Sequence, residues 1–191
     1  MNQETVLAIE HLKKGNVILY PTDTIWGLGC DPNNEEAVKR IFEIKKRPVD
    51  QPLILIVDSI QMLKTIVPRL HPHLEDILFY NIRPLTMIYD KVKRKFAPGV
   101  AAANGSLAIR IVHNKYCQNL LMNFGGPIIS TSANIHTQSY PKSKEEIHSD
   151  ILEQVDYLYS PPEFEEFPSE AEPSLIARYC QSKKELIFLR T

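Results

Sequence analysis

The segment from residue 20 to residue 57 constrains the fold more than any other part of the sequence. An apolar run over residues 17–20 leads into it and predicts a short buried strand. Pro21 is expected to end that strand, because proline cannot donate a ladder hydrogen bond. Three small polar residues follow at positions 22–24, and Gly27 and Gly29 predict a tight turn. Polar groups at the end of a buried strand are typical of ligand pockets in α/β proteins.

A helix after this turn is predicted to end in a cluster of three cations, Lys45, Lys46 and Arg47. Pro48 forbids continuation of the helix, and residues 53–57 predict a second buried strand. A lysine and an arginine at such a helix end can hold phosphate oxygens, the arginine through two parallel bonds. The spacing alone is equally consistent with cations that only complement the helix macrodipole.

The composition restricts the classes of function. At 191 residues the chain is expected to form one domain over 1–191, with no additional C-terminal domain. The net charge of −1 excludes a global basic field for nucleic acid, so any RNA contact requires a local patch. No apolar run approaches the ~20 residues that span a bilayer, and the N-terminus lacks a signal-peptide core. These features predict a cytoplasmic protein without a membrane segment.

Residues 106–112 show the clearest alternation in the chain, which predicts a strand with Ser106 and Arg110 on the same face. Ser130, Ser132 and Asn134 also alternate, directly after the buried pair at 128–129, so all three would point to one side. They could bind a polar ligand or form an ordinary polar loop. The histidines and the three cysteines form no pattern typical of a metal site or of a nucleophilic triad.

Helices and strands alternate early in the chain, whereas short strands cluster late. This order predicts an α/β fold with a single-domain, twisted, open, mixed parallel and antiparallel sheet that carries helices on its faces. A helix is also predicted over residues 143–155. Residues 160–173, rich in proline and glutamate, predict an irregular acidic loop that is either a solvated connector or a lid.

Taken together, these motifs resemble the YrdC-like domain family. The resemblance rests on five segments that occur in the family's order: YPTDTIWGLGC (20–30), IKKRPVDQPL (44–53), PLT (84–86), LAIR (107–110) and STSAN (130–134). Members of this family are L-threonylcarbamoyladenylate synthases. They convert L-threonine, bicarbonate or CO2, and ATP into threonylcarbamoyl-AMP and pyrophosphate, for N6-threonylcarbamoyladenosine modification of tRNA.

The resemblance implies a role for each of eleven residues. Lys45 and Arg47 would be the catalytic residues, acting on the ATP phosphates. The expected ATP-binding residues are Lys45, Arg47, Gln51, Ser106, Ser132, Asn134 and Arg190. The expected threonine-binding residues are Thr24, Arg110, Ser130 and Ser174. Gln51, Ile56, His136–Thr137 and Leu175 depart from the residues usual in the family.

The resemblance further implies Mg2+ bound with ATP as substrate, without a protein metal site. It also implies a downstream threonylcarbamoyl transferase as partner, and contact with tRNA or double-stranded RNA. Two other interpretations stay open at this point: a non-catalytic RNA-binding module of the same fold, and a YciO-like relative with a different nucleotide role. Pyrophosphate release that depends on both ATP and threonine would separate the enzyme from the binding module.

Overall fold

The computed structural model describes residues 2–90, 92–168, 170–180 and 183–190. Within them, six helices are found: α1 (Gln3–Lys13), α2 (Glu35–Lys45), α3 (Ile60–Ile66), α4 (Pro72–Tyr80), α5 (Lys115–Phe124) and α6 (Ser149–Gln154). The strands of the same residues are β1 (Ile18–Pro21), β2 (Trp26–Gly29), β3 (Ile54–Val57), β4 (Leu85–Tyr89), β5 (Leu107–Ile111), β6 (Ile128–Ser132), β7 (Tyr157–Leu158), β8 (Leu175–Cys180) and β9 (Glu185–Arg190). No helix in this part of the chain is both long and apolar enough to cross a membrane.

The strands form a single sheet in the order β7-β1-β2-β6-β3-β5-β4-β8-β9. The pairs β1/β7, β3/β5 and β4/β8 are parallel, and the other neighbours are antiparallel. The sequence prediction of a mixed sheet in an α/β fold is therefore confirmed.

Successive residues of the strands contribute to two different hydrophobic clusters. In β3, Leu55 belongs to the larger cluster, which includes buried residues of α2, α3, α4 and α6. Its neighbour Ile56 belongs to the smaller cluster, which includes buried residues of α1 and α5. Because side chains alternate along a strand, the two clusters lie on opposite faces of the sheet. Helices therefore cover both faces.

Helices α1 and α5 cover only part of their face of the sheet. Ile56 and Ile128 are buried against them, whereas Ile54 and Ser130, two residues along the same strands, line a cavity. Arg110 of β5 pairs in register with Ile56 and lines that cavity as well. The fold thus leaves an open section of one sheet face for a ligand. The alternation predicted for β5 is confirmed, since Leu107, Ile109 and Ile111 lie in the larger cluster on the other face.

The predicted turn at Gly27 and Gly29 is wrong, because both residues lie inside the buried strand β2. A side chain has no space there: a Cβ on Gly29 would lie 2.6 Å from the carbonyl oxygen of Ile129 and 2.7 Å from the ring of Tyr20. These glycines permit close backbone approach between strands rather than a turn. The turn itself comes earlier, closed by a 3.2 Å hydrogen bond from the Thr22 amide to the Ile25 carbonyl.

Two other elements differ from their predicted bounds. The helix expected over 143–155 is confined to α6, and residues 142–147 form turns in which the Glu146 carboxylate accepts a hydrogen bond from the Lys142 amide. Ser130 and Ser132 lie within β6 rather than after it. The polar residues of this segment are therefore held by a strand on both sides, β2 and β3.

Candidate active site

The open section of the sheet face contains a cavity of about 290 Å³, which we call the arginine pocket. Apart from apolar and glycine residues, its described lining consists of guanidinium and hydroxyl side chains: Arg47, Arg110, Arg190, Thr22, Thr24, Ser130, Thr131, Ser132 and Ser174. No carboxylate is among the described lining residues. The pocket is therefore suited to anionic, oxygen-rich ligands.

Arg110 is the most deeply placed of these cations, with 4% of its surface exposed. Its Nη1 forms a 2.7 Å ion pair with Oδ1 of Asp23 and donates a 3.0 Å hydrogen bond to Oγ1 of Thr24. The Asp23 side chain is only 7% exposed. One edge of the Arg110 guanidinium is therefore fixed by the segment between β1 and β2.

Thr22 organises that segment through its hydroxyl group. Its Oγ1 donates to the carbonyl of Ile25 at 2.8 Å and accepts from the amides of Thr24 and Ile25 at 3.1 and 3.3 Å. It also shares a 2.8 Å hydrogen bond with Oγ1 of Thr24. These local bonds replace ladder bonds where the strand ends. As a result, Thr24 and Asp23 both face Arg110.

Arg47 and Arg190 are held by backbone carbonyls instead of carboxylates. Arg47 donates to the carbonyls of Gln51 and Pro52 at 3.2 and 3.1 Å, and partial burial lowers the pKa of its guanidinium. Arg190 donates twice to the carbonyl of Ser174, at 3.1 and 2.6 Å. Desolvation and, to a lesser degree, the charge of Arg110 lower the pKa of Arg190.

Lys45 lies behind the arginine pocket and is only 1% exposed. Its ammonium donates to the backbone carbonyls of Ser132 and Asn134, the latter at 2.7 Å, and to Oδ1 of Asn134 at 3.2 Å. In return, the carbonyl of Lys45 accepts from the amide of His136 at 2.7 Å. Burial, together with the charge of Arg47, lowers the pKa of Lys45 to about 7. Lys45 is the last residue of α2 and lies on the buried side of that helix.

The expected site residues fall into two groups. Seven of them line the arginine pocket: Thr24, Arg47, Arg110, Ser130, Ser132, Ser174 and Arg190. The other four lie outside its lining: Lys45, Gln51, Ser106 and Asn134. Gln51 lies 3.4 Å from the ring of His136, and Asn134 donates to the carbonyl of Gln138 at 2.6 Å. Ser106 is buried, with 5% of its surface exposed, and directly precedes the first residue of β5.

Asp23 is a site residue to which the sequence reasoning assigned no role. Its position between two threonines at the end of a buried strand was the available signal. What the sequence could not show is that the chain brings this carboxylate to Arg110, 87 positions later, across the sheet. Thr86 is a second such residue, because its hydroxyl shares a 2.7 Å hydrogen bond with that of Ser174.

Residues 160–173, the acidic loop, lie beside the arginine pocket. Phe164 and Phe167 of this loop are partly buried and meet Trp26 edge-on, with ring centroids 5.4 and 6.2 Å apart. Ser169 lies outside the described residues. Between this loop and the Thr22–Thr24 segment is a second cavity of about 740 Å³, the acidic cavity, lined by Asp23 and several loop glutamates. The loop therefore packs on the pocket wall through its aromatic side chains, while Glu163, Glu165 and Glu166 remain exposed.

The described residues do not fit a protein-bound Mg2+ ion. They contain no group of three or more His, Cys, Asp or Glu side chains that could hold a metal. The arginine pocket presents hydroxyl groups and cations, whereas Mg2+ is usually bound by one or two carboxylates. We therefore derive no chemical step through a metal held by the chain.

Comparison with known sequences identifies a family match over almost the whole chain. The Sua5/YciO/YrdC family model, described as "Telomere recombination", matches residues 10–190. The threonylcarbamoyl-AMP synthase of Pseudoalteromonas translucida is 35% identical over 164 residues, which cover 84% of this chain and 88% of that protein. The synthase of Hahella chejuensis is 39% identical over 132 residues, covering 69% and 71% of the two chains.

Comparison with solved structures identifies the same fold. The crystal structure of P. abyssi Sua5 complexed with L-threonine matches with a TM-score of 0.85 at 23% identity, over 100% of this chain. This chain spans about half of that protein, 55% of its length. E. coli YciO matches with a TM-score of 0.79 at 23% identity, over 100% of this chain and 90% of its own. At these identities the likeness concerns the fold alone.

Proposed function

The chain belongs to the Sua5/YciO/YrdC family, and from that premise we propose that it is a threonylcarbamoyl-AMP synthase. The reaction joins L-threonine, bicarbonate or CO2, and ATP into threonylcarbamoyl-AMP and pyrophosphate. One observation carries the proposal. A chain 35% identical to a curated synthase over most of its length encloses three guanidiniums and six hydroxyl residues in one pocket, whose described lining contains no carboxylate.

The chemistry needs no covalent nucleophile from the protein. The threonine amine adds to CO2 to give a carbamate, and the carbamate oxygen attacks the α-phosphate of ATP. Pyrophosphate then leaves. Charge accumulates on the phosphate oxygens in the transition state, so fixed cations stabilise it more than the ground state. The composition of the arginine pocket matches this requirement.

Two of the three pocket cations are proposed to hold different parts of the substrates. Arg110, fixed by Asp23 and Thr24, would pair with the threonine carboxylate. Arg47 would hold ATP phosphates, and its bonds to the carbonyls of Gln51 and Pro52 fix the guanidinium in place. Mg2+ would enter with the ATP phosphates, held by them and by water.

Lys45 is proposed to act by holding the segment that carries Ser132 and Asn134. Its ammonium donates to the backbone of both residues, and Ser132 lines the arginine pocket. A cation at the end of α2 also contributes positive charge behind the phosphates. This interpretation keeps Lys45 in the ATP site without requiring that it line the pocket.

The enzyme interpretation is favoured over a non-catalytic RNA-binding module. The two curated relatives described above are named as synthases, and the three arginines converge on a small pocket instead of forming a surface stripe. The product would be used by a threonylcarbamoyl transferase that modifies tRNA. The proposed reaction itself involves no RNA, so direct contact of this protein with tRNA or double-stranded RNA is a separate proposal.

The test is direct detection of the product. The protein is mixed with ATP, Mg2+, bicarbonate and threonine, and threonylcarbamoyl-AMP is sought by mass spectrometry. Its formation, with pyrophosphate release that stops when threonine is omitted, is the expected result. Absence of the product from folded protein under these conditions would refute the proposed function.

A further inference from the structure

Arg110 differs from the other two arginines of the arginine pocket in what holds it. Its Nη1 forms an ion pair with the Asp23 carboxylate at 2.7 Å. Among the described residues, Arg47 and Arg190 donate only to uncharged oxygens, on Gln51, Pro52 and Ser174. Within the part of the chain that the structure describes, one of the three pocket cations is therefore neutralised by a carboxylate, and two are not.

The neutralising carboxylate approaches from behind the pocket. Asp23 is absent from the lining of the arginine pocket and borders the acidic cavity on the other side of the Thr22–Thr24 segment. Its side chain is 7% exposed and that of Arg110 is 4% exposed, so solvent screens the pair weakly. Asp23 therefore acts electrostatically on any ligand at Arg110, although its side chain does not line the arginine pocket.

We propose that Asp23 is a specificity-determining residue that reserves Arg110 for a single carboxylate and excludes phosphate groups from it. The proposal rests on the synthase function, in which an amino acid and a polyphosphate occupy one small pocket together. An amino acid brings one negative charge to Arg110 and a positive ammonium close by. A pyrophosphate brings several negative charges, and the buried Asp23 repels them more strongly.

Without this exclusion, the three guanidiniums would attract one polyphosphate across the whole pocket. With the exclusion, specificity between the two ends of the pocket arises from repulsion as well as attraction. The measurable consequence is simultaneous binding: the protein holds threonine and pyrophosphate together only while Asp23 is charged.

The experiment measures binding, without turnover, by titration calorimetry with threonine and inorganic pyrophosphate. The test variant is Asp23→Asn, which keeps an oxygen for Nη1 of Arg110 and removes the charge. The control is Asp156→Asn, which removes a carboxylate from a more exposed 2.6 Å pair with Arg40, and neither of these two residues lines the pocket. Thermal unfolding is recorded for every variant.

In the wild type and in Asp156→Asn, saturating pyrophosphate should change the threonine Kd by less than about twofold. In Asp23→Asn, pyrophosphate should bind about tenfold more tightly and raise the threonine Kd about tenfold or more, the scale of one weakly screened charge interaction. Equal threonine–pyrophosphate coupling in the wild type and Asp23→Asn would overturn the proposal. So would exclusion of threonine by pyrophosphate in the wild type.

A charge-retaining variant keeps the idea testable if Asp23→Asn does not fold. Asp23→Glu should still allow both ligands to bind together, even if threonine binds more weakly, and a Glu variant in which pyrophosphate excludes threonine would overturn the proposal. Failure here is separable from failure of the synthase function. Wild-type protein that makes threonylcarbamoyl-AMP but shows no charge-dependent coupling would refute only the role of Asp23.

Discussion

Individual cationic side chains in and behind the arginine pocket are positioned by groups of different charge, and this determines what each can do. Arg110 is held by a carboxylate, Arg47 by two carbonyls, and Lys45 by two carbonyls and an amide oxygen. Of the pocket cations, Arg47 and Arg190 therefore have no carboxylate partner among the described residues. For a polyphosphate ligand, we propose Arg47 as the catalytic cation.

Replacing Arg47 by alanine should lower the rate of product formation about a hundredfold or more, equivalent to roughly 2–4 kcal/mol of transition-state stabilisation. The neighbouring Lys46→Gln is the matched control, because Lys46 is exposed and pairs with Asp150 at 3.1 Å. The rates of both variants are measured as pyrophosphate release at saturating substrate concentrations. A folded Arg47→Ala protein with wild-type rate would remove Arg47 from the mechanism.

Lys45 should make nucleotide binding depend on pH. In the free protein burial lowers its pKa to about 7, so at pH 8 the side chain is mostly neutral. A bound polyphosphate favours the charged form and raises that pKa, so ATP binding at pH 8 should take up protons. At pH 6 the lysine is already charged, and its contribution to the proton uptake should vanish.

Calorimetric titration in buffers of different ionisation enthalpy measures this proton uptake. ATP and the other groups of the protein contribute too, so the quantity of interest is the difference from Lys45→Met. If the wild type and Lys45→Met take up equal numbers of protons at pH 8, Lys45 does not respond to the nucleotide.

At the scale of elements, periodic patterns in the sequence predicted those features that depend on local backbone geometry. The alternation in β5 correctly separated Arg110 from the apolar face of the strand, and Arg110 lines the arginine pocket. The predicted cationic end of the helix is also found, with Lys45 as the last residue of α2. The glycines of β2 were misassigned because their role is set by a neighbouring strand, which no local pattern reports. Likewise, the pairing of Asp23 with Arg110 depends on strand order, so sequence could supply the residues but not their contact.

The acidic loop is the element whose behaviour should change most on binding. Its aromatic residues, Phe164 and Phe167, pack on Trp26, which also lines the arginine pocket. A labile carbamate requires exclusion of water. We expect the loop to exchange amide hydrogens rapidly without ligand and slowly when ATP and threonine are both bound.

Hydrogen exchange over the peptides that cover residues 160–173 measures this change, with α1 as an internal reference that should not respond. Phe164→Ala should weaken the protection, whereas Phe79→Ala, an aromatic residue of α4 that is 69% exposed, should not. Unchanged exchange at saturation would mean that the loop is a solvated connector.

At the scale of the whole molecule, residues far apart in the sequence assemble the site on one continuous sheet. Thr24 precedes β2 near the N-terminus, and Arg190 ends β9. The parallel pairing of β8 with β4 joins the last hairpin to the centre of the sheet. The buried residues of the larger hydrophobic cluster likewise extend from Val17 to Ala177. Formation of the pocket is therefore coupled to folding of the entire sheet.

This continuity predicts a single cooperative unfolding transition, despite a length of 191 residues. Trp26, the sole tryptophan, is 3% exposed in β2, and its fluorescence should share a denaturant midpoint with far-ultraviolet circular dichroism.

Leu55→Ala, at a 0% exposed position of the central strand β3, should lower the free energy of unfolding by about 2–5 kcal/mol. Both probes should shift together, because β3 is paired on each side, with β5 and β6. Leu189→Ala, at a 59% exposed position of β9, should change the free energy of unfolding by less than about 0.5 kcal/mol. Separate midpoints for the two probes, or a Leu55→Ala shift in only one of them, would show that parts of the sheet unfold independently and that the pocket can be lost without the fold.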